Sequence, residues 1–590
     1  MAGHKVSKSP RSSDKEIPVD PLFTRENFEK ELRDLAVKAQ EQTWLKWAVG
    51  QVWIISQVCI LYNLAAISSN VSILNLSPVY GNTPSKIWHS QVTWISCFLG
   101  WSFNRFFQRL IPVKLRHILP LIAAYTPLMQ LYLFKLSGLM GVRFGPIITE
   151  SLTHSPLLIL TVSVAASLLS NLDIELKWIP SWISDSFPGI LSFSSFKTME
   201  LFTESKIQNF IGSSFLHSRL GLQVALTGMY SIIAPSKMLL FLLPAVLHTA
   251  FFNIHVPASY TTNLLNSSLA AKGWSVLERR DSITGYISVI ENHEKKYRTM
   301  RCDHSLLGGE WLISKRTQRV AEPIYGVFVM LEAVRLLELS EPILDSEAKA
   351  YVVGLGIGTT PAALIEHGID TTIVEIDPVV YDFAQKHFSL PKNHTVIIAD
   401  AVSYTAELVQ KGQKYDYIIH DVFTGGAEPL ELFTVEFIQD LSAVLKPGGV
   451  VAINYAGDLS IPIARIIVNT IKSVFPTCRI FRESEKPTPS QFTADKGRDF
   501  TNMVLFCTNA ANEIKFRKPN DADFLESGAR QQFLLPKYEV DDSIFAEHET
   551  DGGLLRKNDT GRFLDWQQEN SLSHWSLMRT VLPPTIWEMW

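Results

Sequence analysis

The chain has few cysteines and little net charge for its length. Five cysteines are scattered over 590 residues, and no two of them have CxxC spacing. This pattern argues against a zinc site and against a disulfide framework, so we interpret the cysteines as packed thiols, with a catalytic cysteine as the second choice. The formal net charge is -4 with both signs interspersed, which is not typical of a nucleic-acid-binding protein. We therefore expect no metal cofactor and no nucleic-acid partner.

A cleavable targeting sequence is also missing. Residues 1–43 mix Lys, Arg, Asp and Glu, and no apolar run follows the first methionine. A secretory signal peptide requires such a run, and a mitochondrial presequence is poor in acidic residues, so neither is predicted. We expect residues 1–43 to form a cytosolic N-terminal segment.

Apolar residues, in contrast, are abundant and clustered. They make up 46% of the chain, and the run LKWAVGQVWIISQVCILYNLAAI after Trp44 is long enough to cross a bilayer core of roughly 30 Å. The stretch 178–196 is interrupted by prolines and polar residues, which indicates an interfacial or re-entrant piece instead of a full crossing. We predict a membrane domain over residues 44–256 with about six transmembrane helices. The further spans lie near 87–103, 118–138, 153–171, 217–235 and 238–256.

The distribution of positive charge predicts the orientation of this domain. Basic residues precede the first predicted span and follow the second, and such residues favour the cytosolic side. Two glycosylation-type triplets, Asn70-Val-Ser and Asn75-Leu-Ser, lie between these spans and favour the opposite side. We expect a multi-pass integral membrane protein whose N-terminus and transferase domain are both cytosolic. No motif identifies the organelle, and the endoplasmic reticulum is favoured. The basic residues are Lys30, Arg33, Lys38, Lys46, Arg105, Arg109, Lys114 and Arg116.

The pattern of the sequence changes after the apolar half. Short β-rich runs separated by Gly, Asp and Asn predict a small antiparallel β-sheet domain over residues 270–318. Strand-like runs such as AYVVGLG, TTIVEID and YDYIIHD then alternate with helical segments, which is typical of a mostly parallel sheet covered on both faces. We predict a Rossmann-like transferase domain over residues 319–510. A tail follows at 511–590, and its Trp-rich end rests either at a lipid interface or on the soluble domain.

A glycine-rich loop at the start of this α/β region predicts a nucleotide pocket. The stretch YVVGLGIGTTPAALIEHGIDTTIVEIDP places Gly354, Gly356 and Gly358 between a strand and a helix. Glycines at such a turn let the backbone approach a ligand. Glu375 ends the next strand, where a carboxylate can accept hydrogen bonds from two ribose hydroxyls.

Two later acids distinguish between the classes of donor. Asp400 ends the third strand-like run, where it can meet an adenine amino group, and Asp421 ends the fourth, at the edge of the sheet where ligands bind. Each acid alone could instead cap the following helix or turn. Together with the glycine loop they favour an adenosylmethionine-type transferase over a nicotinamide-dependent dehydrogenase.

The region from about Gly285 to Asn454 resembles the spermidine synthase family of aminopropyltransferases and its membrane-fused relatives. The small sheet ahead of the glycine loop carries the resemblance, because ordinary methyltransferases lack it. The resemblance implies that Tyr325, in AEPIYGVF, lines the donor pocket, that the glycine loop holds a sulfonium nucleoside, and that Asp421 accepts a proton from the attacking amine. It also implies a small amine or polyamine acceptor, and a dimer is compatible with it.

The chain departs from the family pattern at several positions. The family's glycine loop holds an acid that pairs with the amine of decarboxylated adenosylmethionine, and this chain has Ile357 there. The histidine expected after the pocket tyrosine is Gly326. The family's second acid is Thr424, unless Glu428 substitutes for it from a longer loop as a substrate-binding residue.

Three functions remain, and we rank them in the order given. The first is transfer of an aminopropyl group from decarboxylated S-adenosylmethionine to an amine or polyamine, favoured by the small sheet and Asp421. The second is S-adenosylmethionine-dependent methyl transfer to an amine or a membrane-delivered acceptor, favoured by Ile357, because a missing negative charge there tolerates the carboxylate of the intact donor. The third is a membrane scaffold without activity, favoured by Gly326 and Thr424.

Overall fold

The computed structural model describes most of the chain. The described residues are 25–172, 181–312, 319–338, 342–423, 426–490, 497–511, 513–546, 548 and 551–590. Residues 1–24 of the predicted N-terminal segment, the start of the stretch 178–196, and Thr424 lie outside them. Within the described residues the chain forms a helical half, then a five-stranded sheet, then an eight-stranded sheet.

The helical half is held together by an apolar core between its longest helices. Val58 and Leu61 of the first helix pack with Leu157, Leu160 and Tyr230 of later helices, and all five are buried. The helices are α1 (Arg25–Tyr80), α2 (Asn82–Lys86), α3 (His89–Ser102), α4 (Asn104–Leu110), α5 (Leu119–Phe134), α6 (Ser137–Leu152), α7 (His154–Leu169), α8 (Ser181–Phe210), α9 (Arg219–Ile233), α10 (Leu243–Phe252) and α11 (Ser259–Ala270).

Three helical stretches are long and apolar enough to cross a membrane, counted over the described residues only. They are Asn27–Tyr80, Leu115–Phe134 and Ser137–Leu169. This is fewer than the six expected from apolar length. Helices α3, α9 and α10 have 14, 15 and 10 residues. At about 1.5 Å per residue each is shorter than the roughly 30 Å of a bilayer core. Full crossing by these segments therefore stays a prediction.

The two asparagines expected to mark the non-cytosolic side are buried. Asn70 and Asn75 lie within α1 and are 6% and 0% exposed. Asn70 Nδ2 donates to Thr203 Oγ1 at 2.9 Å, and Asn75 Nδ2 donates to Gln130 Oε1 at 3.3 Å. Side chains buried in this way are not accessible to a glycosylating enzyme, so the two triplets do not support the predicted orientation. The predicted orientation then rests on the basic residues alone.

The small antiparallel sheet follows α11 and is tied to the helical half by a buried cation. Arg219 on α9 forms ion pairs with Asp281 at the end of β1 and with Asp303 after β3. All three side chains are buried. The strands, paired in sequence order, are β1 (Trp274–Asp281), β2 (Tyr286–Asn292), β3 (Tyr297–Cys302), β4 (Ser305–Trp311) and β5 (Glu322–Pro323).

The large sheet has a parallel centre and an antiparallel edge. Its order is β13-β11-β12-β10-β9-β6-β7-β8, so the strand order reverses between β6 and β9. Ligands of open α/β sheets bind at such a reversal, beyond the carboxyl ends of the strands. The strands are β6 (Lys349–Val353), β7 (Asp370–Glu375), β8 (Thr395–Ile398), β9 (Tyr415–His420), β10 (Leu445–Asp458), β11 (Thr477–Arg482), β12 (Phe500–Thr508) and β13 (Tyr538–Glu539).

Helices cover both faces of this sheet. They are α12 (Gly326–Leu331), α13 (Thr359–Glu366), α14 (Pro378–His387), α15 (Ala401–Gln410), α16 (Val435–Val444) and α17 (Pro462–Val474). Two apolar cores result, one on each side of the strands. Tyr351 and Val352 are neighbours on β6, and their side chains lie in opposite cores, as the alternation of side chains along a strand requires.

One pair of cysteines corrects the expectation of free thiols. Cys478 on β11 lies directly opposite Cys507 on β12, and the two form a disulfide with their Cα atoms 4.2 Å apart. The two residues are 29 positions apart in sequence, so only the strand register brings them together. Cys59, Cys97 and Cys302 form no disulfide.

The C-terminal tail packs on both halves of the molecule. It contains α18 (Gly528–Phe533), α19 (Leu564–Val581) and α20 (Pro584–Glu588). The Trp575 indole N–H donates to the Val79 carbonyl at the end of α1 at 3.0 Å, and Trp590 stacks on His255 at 4.5 Å between ring centroids. Trp587 is fully buried. Of the two alternatives for these tryptophans, the structure therefore has docking on protein.

Candidate active site

A cavity of about 580 Å³ lies where the strand order of the large sheet reverses. Its walls are the glycine loop, the carboxyl ends of β7, β9 and β10, the first residues of β4, and one face of α19. Six of the predicted site residues line it: Tyr325, Gly354, Gly356, Glu375, Asp400 and Asp421. Ten polar or aromatic residues line it without having been predicted: Thr284, Ser305, Phe328, Phe423, Glu431, Asn454, Glu483, Phe500, Asn502 and His574.

The glycine loop brings the backbone of three elements into close contact. Gly354 and Gly356 have φ values of 86° and 55°, which side chains other than glycine rarely adopt. A Cβ on Gly354 would lie 2.1 Å from the Asp421 carbonyl oxygen, and one on Gly356 would lie 2.5 Å from the Leu307 carbonyl oxygen. Gly358 caps α13 with φ 85° and does not line the cavity. In the structure Gly358 therefore allows the chain to turn into α13 and does not contact the cavity.

We expect Gly354→Ala to lower turnover about 10²-fold, since displacements of about 1 Å in a reacting group cost that much. The new methyl group must push the backbone of Asp421 away, and the left-handed backbone adds strain. Gly368→Ala is the matched control, because Gly368 has φ 88° and no atom within 4 Å of an added Cβ. Both variants should melt earlier than the wild type in a thermal scan. Equal turnover in the two variants would contradict the close-packing argument.

Glu375 holds the glycine loop to the end of β7. The Leu355 N–H donates to Oε2 at 2.9 Å, and the Asp377 N–H donates to Oε1 at 2.8 Å. Burial raises the pKa of this carboxyl to about 7. Asp377 in turn caps α14 and accepts hydrogen bonds from the hydroxyls of Ser282 and Thr284, so the small sheet is attached to the same corner. Glu375 lines the cavity with its remaining lone pairs.

Asp400 acts as a helix cap in the structure. Its carboxylate accepts hydrogen bonds from the Val402 N–H at 3.3 Å and from the Ser403 N–H at 3.0 Å, at the start of α15. The side chain is exposed and borders the cavity. A contact with adenine therefore stays a prediction for this residue.

Asp421 lies at the end of β9 in the middle of the cavity wall. The Asn454 Nδ2 donates to its Oδ1 at 2.8 Å. Burial raises the pKa of the carboxyl to about 6, and the hydrogen bond from Asn454 opposes this shift. The Oδ1 of Asn454 is buried and has no hydrogen-bond partner among the described residues. The preceding His420 points the other way and makes a 2.8 Å hydrogen bond to the Leu432 carbonyl.

Glu483 is a carboxylate of the cavity wall that comes from the antiparallel edge of the sheet. Glu483 follows β11, where its Oε2 accepts a hydrogen bond from Asn502 at 2.7 Å and its Oε1 accepts one from the Val327 N–H at 3.1 Å. Tyr325 lies beside it, and burial raises the pKa of that phenol. No motif marks Glu483 in the sequence. The alternation of Phe500 and Asn502 on β12 is the one signal that could have suggested this wall.

Two residues singled out in the sequence lie elsewhere. Glu428 does not line the cavity, because it is buried and its carboxylate accepts a hydrogen bond from Asn570 Nδ2 at 2.9 Å. The prediction that it contacts the substrate is therefore not supported by its position. Ile357 is buried, with its side chain against Gly308 of the small sheet, and it also lies outside the cavity wall. Its identity therefore does not select the donor by direct contact.

Known proteins are similar to part of this chain. Residues 338–482 match the spermine/spermidine synthase domain family. The polyamine aminopropyltransferase of Vibrio vulnificus (strain CMCP6) is 35% identical over 135 residues, which is 22% of this chain and 44% of that protein. The crystal structure of human methyltransferase-like protein 13 in complex with SAH is 26% identical, covers 37% of this chain and 95% of its own, and gives a TM-score of 0.27.

The relatives, the α/β domain and the cavity at the strand reversal define the chain as a transferase. The N-terminal histidine N-methyltransferase of Emericella nidulans is 45% identical over 543 residues, which is 89% of this chain and 96% of that protein. Such a match includes the helical half as well as the α/β domain. The chain belongs to the family of that methyltransferase.

This finding corrects the first-ranked function. The prediction of aminopropyl transfer from the decarboxylated donor was wrong, because the relative that matches nearly the whole chain is a methyltransferase. The aminopropyltransferases match only part of it, 22% in the case of the Vibrio enzyme. The inactive scaffold is also set aside. The second-ranked alternative, methyl transfer, agrees best with the comparisons.

Proposed function

We propose that this protein is an S-adenosylmethionine-dependent N-methyltransferase that modifies a nitrogen of the N-terminal histidine of a polypeptide. The observation that carries the proposal is the 45% identity to an enzyme of that name over 89% of the chain. The cavity supports it independently, since one end has the features of a nucleoside site and the other has carboxylates and amides for a nitrogen-rich acceptor.

The donor end fits S-adenosylmethionine by its backbone and its acid. Gly354 and Gly356 line the cavity without a side chain, so a ligand can approach the backbone of the turn closely. Glu375 keeps acceptor capacity for ribose hydroxyls at the end of β7, and Asp400 and Ala401 border the position of the base. When bound, S-adenosylmethionine supplies a methyl group on a positively charged sulfur.

Asp421 is the residue that we propose to take the proton. The attacking nitrogen uses its lone pair to form the new N–C bond, the S–C bond breaks with its electron pair going to sulfur, and a proton leaves the acceptor for the carboxylate. A carboxyl whose pKa is raised to about 6 is a better proton acceptor near neutral pH than an ordinary aspartate. The Asn454 amide holds it at the sheet edge by a 2.8 Å hydrogen bond. The remaining rate enhancement comes from holding the acceptor nitrogen in line with the S–C bond of the donor.

A peptide panel tests the proposed function. Three matched peptides that begin with His, Ala and acetylated His are incubated with the full chain and S-adenosylmethionine. We expect transfer to the free N-terminal histidine at least about tenfold faster than to either other peptide, because only this peptide presents both an α-ammonium and an imidazole to the cavity. Equal rates for all three, or no methyl transfer to any of them, would contradict the assignment.

We also propose that the helical half attaches the enzyme to a membrane and that the transferase domain faces an oxidising compartment. Disulfides persist in such compartments and are rare in the cytosol, and Cys478 and Cys507 form one within the large sheet. The triplets at Asn393 and Asn558 lie in the transferase half, and both asparagines are exposed. This proposal replaces the expected cytosolic placement of the domain.

Glycosidase treatment of microsomes tests this topology. We expect the wild-type protein to gain electrophoretic mobility on treatment, because exposed acceptor triplets in a lumen receive glycans. The double variant Asn393→Gln, Asn558→Gln should show no such change, and Asn70→Gln should behave like the wild type because Asn70 is buried. An unglycosylated wild-type protein whose transferase half is digested by added protease would restore the cytosolic placement.

A further inference from the structure

The acceptor end of the cavity contains a histidine that the chemistry above does not use. His574 lies on α19 and lines the cavity, although only 5% of its surface is exposed. Its Nδ1 is buried and has no hydrogen-bond partner among the described residues. Buried polar groups of folded proteins are nearly always hydrogen-bonded, so an unpartnered ring in a cavity wall indicates a partner that arrives with a ligand.

Two phenylalanines lie against this histidine. The centroid of the Phe423 ring is 4.8 Å from that of His574, and the centroid of the Phe500 ring is 5.9 Å from it, both in tilted arrangements. The three rings therefore pack on one another, and all three line the cavity; we call the aromatic surface that they present to it the ring slot. Burial lowers the pKa of His574 to about 3, so the imidazole is neutral and offers one hydrogen-bond donor and one acceptor. Such a slot suits a flat heteroaromatic ring with nitrogens at its edge.

A carboxylate borders the same face of the sheet. Phe500 and Asn502 are two residues apart on β12, so both side chains lie on the cavity side. Asn502 donates to Glu483 at 2.7 Å, and no lysine or arginine among the described residues forms an ion pair with Glu483. The acid is oriented by an amide and a backbone N–H, and its charge is left for a cation. An α-ammonium group is a cation of suitable size and hydrogen-bonding capacity.

We propose that the ring slot and Glu483 together select the N-terminal histidine of the substrate, a proposal that rests on the proposed function. The substrate imidazole enters the ring slot, where one ring nitrogen forms a hydrogen bond with His574 and the other, which takes the methyl group, faces Asp421. Its α-ammonium faces Glu483. His574 is then a specificity-determining residue supplied by the C-terminal helix. Because Trp575, the next residue on α19, donates to the carbonyl of Val79 in α1, the helical half positions this part of the active site.

Substitutions in the full chain test the proposal. His574→Phe keeps a ring but removes both nitrogens, His574→Gln keeps hydrogen-bonding capacity, and Glu483→Gln removes the charge while keeping its two hydrogen bonds in part. Thr580→Ala is the control, because Thr580 is exposed on the same helix. The main measurement is the ratio of the affinities for peptides that begin with His and with Phe, because a Phe peptide has no ring nitrogen to accept a methyl group. Calorimetric binding of S-adenosylhomocysteine and the melting temperature are measured alongside.

The expected results separate specificity from stability. His574→Phe should lower the His-to-Phe affinity ratio about tenfold or more through weaker binding of the histidine peptide, and His574→Gln should recover part of it. Glu483→Gln should weaken both peptides equally, since both carry an α-ammonium. S-adenosylhomocysteine binding should be unchanged in every variant. A wild-type ratio in His574→Phe, with active wild-type enzyme, would overturn this proposal alone. A wild type that modifies no N-terminal histidine would overturn it together with the proposed function.

Discussion

Asp421→Asn is expected to lower the single-turnover rate of methyl transfer by about 10²–10⁴, the usual effect of losing a general base. The amide keeps the shape of the side chain but cannot accept the proton. Binding of S-adenosylhomocysteine should change little, because the donor end is formed by Glu375 and the glycine loop. The wild-type rate should also fall as the pH is lowered through about 6, since the raised pKa of Asp421 means that the carboxylate is protonated there.

Asp416→Asn is the matched control for this experiment. Asp416 lies on the same strand at the opposite edge of the sheet, where it binds Lys446 through two contacts of 2.8 Å. That variant should lose stability and keep the wild-type rate per folded molecule. Equal single-turnover rates in Asp421→Asn and the wild type, or an unchanged acid limb of the pH profile in Asp421→Asn, would remove Asp421 from the proton-transfer step.

Glu375→Ala is expected to weaken S-adenosylhomocysteine binding about 10²-fold or more, which corresponds to roughly 3 kcal/mol for two lost hydrogen bonds to a charged acceptor. The Leu355 and Asp377 N–H groups lose their acceptor as well, so the glycine loop loosens. Isothermal calorimetry with S-adenosylhomocysteine measures the effect. A peptide-binding measurement in the absence of the nucleoside should be nearly unchanged.

Glu347→Ala serves as the control for Glu375, because Glu347 is an exposed carboxylate shortly before β6. It should bind the nucleoside like the wild type. The Glu375→Gln variant should bind S-adenosylhomocysteine with intermediate affinity, because its amide keeps one acceptor oxygen. Wild-type affinity in both Glu375 variants would mean that this acid holds the loop and does not contact the nucleoside.

The part of the cavity that we propose to bind the donor could be predicted from sequence because each of its residues is fixed by local structure. A parallel strand ends, a turn follows, and the side chain at that point lies at the edge of the sheet, so Glu375, Asp400 and Asp421 follow from the alternation of strands and helices. The glycine loop has the same property, since Gly354 and Gly356 need positive φ within one turn. The direction of a side chain inside the loop depends on packing against other elements. For this reason the sequence did not reveal that Ile357 faces the small sheet instead of the cavity.

The acceptor half could not be predicted, because tertiary packing assembles it. Glu483 and Asn502 come from an antiparallel edge of the sheet, and His574 comes from a helix at the far end of the chain. The disulfide has the same origin, since Cys478 and Cys507 meet only through strand register. The small sheet that pointed to aminopropyl transfer lies next to the donor site.

The most direct test of the central claim is site-resolved mass spectrometry of a methylated peptide. A peptide that begins with His and contains an internal His and Lys is incubated with the full chain and S-adenosylmethionine carrying an isotopically labelled methyl group. We predict a single labelled methyl group on a nitrogen of the N-terminal histidine, which disappears with Asp421→Asn. Label on the internal residues with an unmodified N-terminus, or no label with the active donor at any pH between 6 and 9, would contradict the account.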